Sequence, residues 1–251
     1  MVDKRVALRL ESRLLAEHGF QNGFSLRAGG VSTGPYASLN LGRNVGDDAS
    51  AVAENHRRMA AEVGYAPDAL CEVDQVHGGD VQVVRTREDR GCAADAMVST
   101  SHPLGIRVAD CAAVLIADPA HGAVAAAHAG WRGVVASVVP RCVRALCALH
   151  DSASPQLLAA VFPCIGLDAF EVGEDVALQI ANAAGAAAIR VGAGKPHVDL
   201  QRAVHQQLLA AGVTRVELVS GCTYSEPARF FSYRRDGGVT GRHLAVIMPR
   251  C

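Results

Sequence analysis

Two uninterrupted apolar runs separated by a short turn constrain the fold of this 251-residue chain more than any other feature. Residues 112–117 and 123–127 contain only Ala, Val, Leu and Ile, and an Asp-Pro-Ala-His-Gly segment joins them. Runs of this kind predict two adjacent, fully buried strands of a hairpin. Antiparallel pairing about the turn then brings Cys111, before the first run, and His128, after the second, to the same end of the hairpin.

A second histidine in a comparable setting extends this pair to a trio. His77 lies in a loop at 74–79 that leads into the strand-like segment 80–85. One thiol and two imidazoles form a plausible zinc site with a fourth position open. The intervals between the three residues are long, however, and lack the local spacing of a zinc finger. Taken alone, the residues favour a buried core thiol at Cys111 and a turn residue beside two glycines at His77.

Five motifs, in order along the chain, resemble the signature blocks of the YfiH family. They are Asp-Gln-Val-His-Gly at 74–78, Ala-Asp-Ala-Met at 94–97, Ala-Asp-Cys-Ala-Ala-Val-Leu at 109–115, His-Ala-Gly-Trp-Arg-Gly at 128–133 and Phe-Ser-Tyr-Arg-Arg-Asp-Gly at 231–237. The family has been labelled polyphenol oxidase (laccase), peptidoglycan editing factor and purine nucleoside phosphorylase. The resemblance implies that His77, Cys111 and His128 bind zinc and are catalytic. It also implies an α+β fold, a mixed β-sandwich flanked by helices.

The resemblance further implies phosphorolysis of adenosine, inosine and methylthioadenosine, with adenosine deaminase activity besides. Zinc with an open position suits hydrolytic deamination of adenine, whereas phosphorolysis needs a seat for phosphate. The expected partners are therefore a small nucleoside and phosphate, and no protein partner is implied.

Four polar side chains are candidate substrate contacts. Arg27 and Asn40 lie in the Gly- and Ser-rich segment 23–42, which resembles a family loop and is otherwise an ordinary surface loop. Arg132 follows Trp131, where the two residues either help to hold an anion or cap the core. Arg234, with Arg235 beside it, either holds an anionic group or pairs with one of three acids, Asp95, Asp110 and Asp236.

Two of these acids stand beside the predicted metal ligands. Asp95 is embedded in an apolar segment and needs partners, which we expect to be backbone groups or an arginine. Asp110 directly precedes Cys111, and we expect it to orient a histidine ligand through a hydrogen bond.

Helical periodicity predicts four helices. Residues 47–64 form a helix capped by Asp48 or Ser50, with His56, Arg57 and Arg58 on its solvated face. An amphipathic segment follows Gly133 and runs to His150, and Pro140 should kink or divide it. Two further helices are predicted at about 174–184 and 200–211, and the last two strands at 216–219 and 244–248.

Composition and charge narrow the class of protein. The net charge is −1 and half of the residues are hydrophobic, which favours one compact domain over 1–251 and argues against nucleic-acid binding. No run approaches the ~18 apolar residues of a membrane span. Charges near the N-terminus interrupt any apolar signal core, so we expect a cytoplasmic protein. The eight cysteines include no Cys-x-x-Cys pair and are expected to be reduced.

Three rival functions remain open. Copper in the same site is possible, but multicopper oxidases need His-x-His pairs, and none occurs among the ten histidines. Cys111 could instead be the nucleophile of an amide hydrolase acting on a peptidoglycan precursor, with His128 or His77 as base. A binding module with a structural metal is disfavoured by the open coordination position.

Overall fold

Two β-sheets form the centre of the molecule. The computed structural model describes residues 7–250, and within that range the chain forms twelve β-strands and six α-helices. The strands are β1 (Arg9–Leu10), β2 (Asn22–Ser25), β3 (Val81–Val84), β4 (Ala96–Ser99), β5 (Leu104–Val108), β6 (Ala112–Ala117), β7 (Val124–Ala129), β8 (Leu158–Val161), β9 (Ile189–Arg190), β10 (His197–Val198), β11 (Arg215–Leu218) and β12 (His243–Ile247). The helices are α1 (Arg13–Glu17), α2 (Ala49–Val63), α3 (Trp131–Val135), α4 (Val138–Cys147), α5 (Glu174–Ala184) and α6 (Leu200–Ala210).

The larger sheet is mixed and the smaller one is antiparallel. Six strands follow the order β11-β8-β6-β7-β4-β3, in which the two outer pairs are parallel and the inner pairs antiparallel. Four strands follow the order β1-β2-β12-β5, all antiparallel. Strands β9 and β10 form a separate two-stranded ribbon.

Side chains alternate between two apolar layers on either side of the larger sheet. In β6, Leu115 belongs to the core that the two sheets share, whereas Val114 and Ile116 belong to the core formed with helices α3 to α6. On the outer face of the smaller sheet, Met59 of α2 and Leu244 of β12 belong to one apolar cluster. The expected α+β class, a mixed β-sandwich flanked by helices, is confirmed.

The predicted hairpin is confirmed as β6 and β7. Every residue of both strands is buried, which explains why neither run contains a charge. Ala113 pairs with His128, so the register places Cys111 beside the end of β7. The prediction differs in one respect, since His128 lies within β7 rather than after it.

Helix α2 begins and ends where the sequence predicts, but one of its side chains is placed differently. Asp48 accepts a hydrogen bond from the Ala51 N–H, and Gly64 closes the helix in the left-handed conformation. The predicted solvated position of His56 is wrong. Its ring is buried, and its Nε2 lies 3.0 Å from the Leu41 carbonyl oxygen.

The segment after His128 is divided before Pro140 rather than at it. Ser137 takes a left-handed conformation with φ of 58° between α3 and α4. Pro140 falls in the first turn of α4, where a missing N–H leaves no hydrogen bond unmade. Helices α5 and α6 match their predicted ranges within one residue, and α6 is capped by Asp199 as expected.

The remaining predictions concern the N-terminal segment, membrane-spanning helices and the state of the cysteines. Residues 1–6, which precede the charged segment at 8–13 on which the expectation for the N-terminus rests, lie outside the described residues. Between residues 7 and 250, none of the helices is both long enough and apolar enough to cross a bilayer. The seven cysteines in this range are free thiols.

Candidate metal centre and active-site cavity

The structure brings together the three side chains predicted from distant parts of the sequence. His77, Cys111 and His128 each offer one ligand atom, and these atoms lie within 4.8 Å of one another. The centroids of the two imidazole rings are 4.7 Å apart, with the rings at 78°. Cys111 and His128 come from the same end of the β6–β7 hairpin, and His77 reaches them from the loop before β3.

Local backbone conformation makes this convergence possible. His77 and Asp110 both adopt positive φ angles, 60° and 89°, which turn the chain sharply on either side of the site. Gly130 is required by close approach, because a Cβ atom there would lie 2.8 Å from the Cys111 Sγ and 3.3 Å from the His77 Cδ2. These turns direct the thiol and both imidazoles to one point.

A fully buried carboxylate, Asp95, holds the two histidine segments together. Its Oδ1 accepts hydrogen bonds from the His77 N–H (2.9 Å) and from the His128 Nδ1 (2.8 Å). Its Oδ2 accepts from the N–H groups of Val76 (3.2 Å) and Gly78 (2.6 Å). Because an ionised carboxylate only accepts, a hydrogen of His128 lies on Nδ1, which leaves Nε2 as the atom that can ligate a metal once it has lost its own proton.

The expected role of Asp110 is therefore performed by Asp95. Asp110 does not contact either histidine; its Oδ1 accepts from the Thr223 hydroxyl (2.6 Å) and its Oδ2 from the Arg234 N–H (2.6 Å). Sequence reasoning anticipated backbone partners for Asp95, which is confirmed, but missed its bond to His128. The signal available in the sequence was an acidic residue embedded in the apolar segment 94–98.

The charges of the trio depend on one another. Burial alone raises the pKa of Cys111, but the nearby His128 charge and the hydrogen bonds from His128 and His77 outweigh it and lower the pKa to about 6. Burial alone lowers the pKa of His128, but the Cys111 charge and the Asp95 hydrogen bond raise it to about 9. The thiol is accordingly poised to act as a thiolate near neutral pH.

The donor set fits a transition metal. One thiolate and two imidazoles, with one imidazole fixed by a carboxylate, are the ligands that zinc accepts at sites with an open fourth position. Imidazoles also bind copper, so the donor set admits either ion. His77 is exposed, Cys111 half-buried and His128 buried, which leaves one side of the trio open to the adjoining cavity.

A cavity of about 650 Å³ opens onto the trio. Three aromatic residues, Trp131, Phe170 and Tyr233, contribute to its walls, and two acids, Asp74 and Asp110, also line it. Arginine is unusually frequent; the lining includes Arg43, Arg107, Arg132, Arg234 and Arg242. The cavity is thus rich in positive charge beside the candidate metal ligands.

Two of the four predicted substrate contacts line this cavity. The guanidinium of Arg132 lies over the Trp131 ring at 4.4 Å, and that of Arg234 lies over the Phe170 ring at 5.6 Å. The Arg234 Nη1 also donates to the Glu171 carbonyl at 3.2 Å. The sequence left open whether Arg234 and Arg235 hold an anionic group or pair with an acid. Arg235 pairs with Asp236 at 2.8 Å, whereas Arg234 forms no ion pair among residues 7–250.

The other two predicted contacts do not belong to the cavity lining. Arg27 donates from Nε to the Ala37 carbonyl (2.8 Å) and from Nη1 to the Pro227 carbonyl (3.1 Å). Asn40 is fully buried. Both side chains join loops in this structure, so a direct contact with substrate stays a prediction.

Comparison with known proteins places these features in a family. The family model described as multi-copper polyphenol oxidoreductase laccase matches residues 21–250. A purine nucleoside phosphorylase of Deinococcus radiodurans is 43% identical over 231 residues, which cover 90% of this chain and 88% of that protein. The purine nucleoside phosphorylase YfiH of Escherichia coli is 38% identical over 227 residues, which cover 89% of this chain and 91% of that protein.

A solved structure agrees over nearly the whole length. The crystal structure of YlmD from Geobacillus stearothermophilus superposes with a TM-score of 0.90 at 32% identity, and the match covers 97% of this chain and 96% of that one. With the arrangement of sheets and the motifs around His77, Cys111 and His128, these similarities show that the chain belongs to the YfiH family.

Proposed function

We propose that this protein is a zinc-dependent purine nucleoside phosphorylase. It cleaves adenosine, inosine and methylthioadenosine with phosphate, and it releases the free base and ribose 1-phosphate or methylthioribose 1-phosphate. The observation that carries the proposal is a single cavity that combines a candidate thiolate and imidazole metal centre with three arginines that form no ion pair within residues 7–250. The names of the relatives in Deinococcus radiodurans and Escherichia coli support the same activity.

The size and walls of the cavity suit a nucleoside. Its volume of about 650 Å³ lies within the range of roughly 300–1,000 Å³ typical of small-molecule sites. Trp131, Phe170 and Tyr233 offer faces against which a purine ring can stack. Arg132 and Arg234 supply the forked, permanently charged donors that bind phosphate oxygens.

In phosphorolysis, an oxygen of phosphate attacks C1′ of the ribose while the bond to the purine nitrogen breaks. The arginines hold the phosphate in line with C1′ and offset its charge, which replaces a bimolecular encounter by a fixed geometry. His77, Cys111 and His128 would hold zinc, which supplies a Lewis acid with an open position. Asp95 keeps His128 in the ligating tautomer throughout.

We further propose adenosine deaminase as a side activity of the same site. It is distinguished by its product, because deamination forms inosine in buffer without phosphate, whereas phosphorolysis of adenosine forms adenine only when phosphate is present.

The proposal is tested by metal content and product analysis together. Purified wild-type protein should contain about one zinc per chain and convert adenosine and phosphate to adenine and ribose 1-phosphate. Cys111→Ala should lose both properties. Cys142→Ala is the matched control, because Cys142 is a fully buried thiol in α4 that belongs to the helix-facing core. Zinc-free protein without phosphorolysis would refute the proposal.

A second candidate is favoured by one observation. With its pKa lowered to about 6 beside His128, Cys111 resembles the nucleophile of a cysteine hydrolase, here acting on an amide in a peptidoglycan precursor. A chelator should abolish phosphorolysis and spare a thiol hydrolase. Iodoacetamide should do the reverse if bound metal shields the thiolate.

Copper-dependent polyphenol oxidation is the third candidate. The description of the family model suggests it, but a trinuclear copper cluster needs several His-x-His pairs, which this sequence lacks. Phenol oxidation by copper-loaded protein that exceeds phosphorolysis by zinc-loaded protein would reverse this order.

A further inference from the structure

We propose that Arg242 binds the phosphate co-substrate together with Arg132 and Arg234, and that the buried side chain of Asn40 positions it. This inference rests on the proposed function, in which phosphate is a substrate. It assigns the phosphate-binding site to one group of cavity arginines, and it gives Asn40 a role other than direct contact with the substrate.

The five cavity arginines fall into two groups by their partners. The Glu72 carboxylate lies 3.1 Å from the Arg43 Nη2 and 3.3 Å from the Arg107 Nε, so its negative charge is shared by these two cations and offsets part of their positive charge. Arg132, Arg234 and Arg242 form no ion pair within residues 7–250. Because an anion gains most from positive charge that no carboxylate offsets, phosphate should favour this second group.

Arg242 is the most enclosed member of the second group. Its guanidinium lies over the Tyr233 ring at 5.4 Å, and its Nη1 donates to the carbonyl oxygens of Thr240 (2.7 Å) and Gly241 (3.1 Å). No hydrogen bond from its Nε or Nη2 is formed to the described part of the chain, so two donor groups remain for a ligand. Burial lowers the pKa of Arg242, while the negative charges of Tyr233, Asp110 and Cys111 act to raise it, although Asp110 forms no ion pair with its guanidinium. Arg242 lines the same cavity as the three candidate metal ligands.

Asn40 fixes the backbone from which Arg242 extends. Its Oδ1 accepts hydrogen bonds from the N–H groups of Arg242 (2.8 Å) and Gly42 (2.9 Å), and its Nδ2 donates to the Asp47 Oδ2 (2.8 Å). Gly42 packs against the Arg242 stem so closely that a Cβ atom there would lie 2.7 Å from its Cγ. The arginine is thus held in place before any ligand binds, which reduces the entropy lost on binding.

The first experiment measures binding of inorganic phosphate to the zinc-loaded protein by titration calorimetry, alongside initial rates at saturating adenosine. Arg242→Gln should raise the phosphate dissociation constant and the KM for phosphate by about 10- to 100-fold, the effect expected from losing charge-assisted hydrogen bonds. Zinc content and thermal stability should stay at wild-type values. Arg57→Gln, which removes an exposed charge from α2, is the control and should bind phosphate as wild type does.

Arg242→Lys distinguishes a lost phosphate contact from a general loss of structure, because lysine keeps the positive charge but not the planar guanidinium. This variant should bind phosphate with an affinity between those of wild type and Arg242→Gln. Added guanidinium should restore phosphate binding to Arg242→Ala. Wild-type affinity in Arg242→Gln, or no phosphate binding by the wild type, would overturn the inference. Phosphate binding that depends on Arg242 without any phosphorolysis would instead refute the proposed function while supporting the phosphate-binding site.

The role of Asn40 has its own test. Asn40→Ala should weaken phosphate binding by about 3- to 10-fold at unchanged zinc content, since a hydrogen bond to the backbone of Arg242 is lost. The paired exchange of Asn40→Asp with Asp47→Asn reverses the donor and acceptor, keeps the total charge and should restore the affinity. Wild-type affinity in Asn40→Ala, or an exchange no better than Asn40→Ala, would overturn the positioning role.

Discussion

Replacing Asp95 with asparagine tests how the metal centre is built. Each oxygen of the carboxylate accepts two hydrogen bonds, one pair from His77 and His128 and the other from Val76 and Gly78. An amide has the same shape, but its NH2 group must face one of these pairs in either orientation. Two donors, each buried or part-buried, then lose their acceptor.

The cost follows from those two donors. A buried donor without a partner costs about 1–3 kcal/mol, so the substitution should destabilise the fold by roughly 2–6 kcal/mol. That is a large part of the roughly 5–15 kcal/mol that stabilises a typical domain. Because Asp95 also orients His128, zinc affinity should fall by about 10- to 100-fold.

The β6–β7 turn provides a matched control. Asp118 is also fully buried, and it accepts from the His121 Nδ1 at 2.9 Å and from the N–H groups of Ala120 (2.9 Å) and His121 (3.3 Å). It differs from Asp95 in standing at the opposite end of the hairpin from the cavity. Asp118→Asn should therefore lower stability to a similar extent without changing zinc affinity.

Calorimetric unfolding and competition with a chromogenic chelator measure the two effects separately. We expect both variants to unfold at lower temperature and only Asp95→Asn to lose zinc to a weaker chelator. Equal zinc affinity in the two variants would refute the argument that the bond from Asp95 to His128 supports metal binding.

Three further predictions concern pH, close packing and backbone strain. Burial lowers the pKa of His243 to about 3, so below about pH 6.5 the unfolded chain binds a proton at this residue that the folded chain does not. The free energy of unfolding should therefore fall by about 2 kcal/mol between pH 7 and pH 5 through this residue. Urea unfolding of His243→Gln should show a shallower pH dependence than wild type, and an identical slope would contradict this assignment. Gly130→Ala places a methyl group 2.8 Å from the Cys111 Sγ and should cost about 1–3 kcal/mol in zinc binding, whereas Gly192→Ala, with no atom within 4 Å, should bind zinc normally in the same chelator competition. Ser137→Gly relieves a left-handed residue between α3 and α4 and should stabilise the protein by about 0.5–1 kcal/mol; a lower melting temperature would count against it.

Much of the fold follows from local pattern. The two apolar runs predicted β6 and β7 because a strand buried on both faces has no position for a charge. Asp48 and Gly64 predicted the limits of α2 because helix ends need a side-chain acceptor and a left-handed residue. The same hairpin logic placed Cys111 beside His128, since the turn and the apolar pattern of the two strands set the antiparallel register.

What the sequence by itself determined was thus the identity of the elements and the residues at their ends. Tertiary structure alone decided which polar groups meet. Asp95 rather than Asp110 holds His128, and Asn40 reaches Arg242, 202 residues away, instead of standing in the cavity lining. Periodicity specifies which way a side chain faces, but the partner of a buried polar group depends on how two distant segments pack, and no local pattern records that distance.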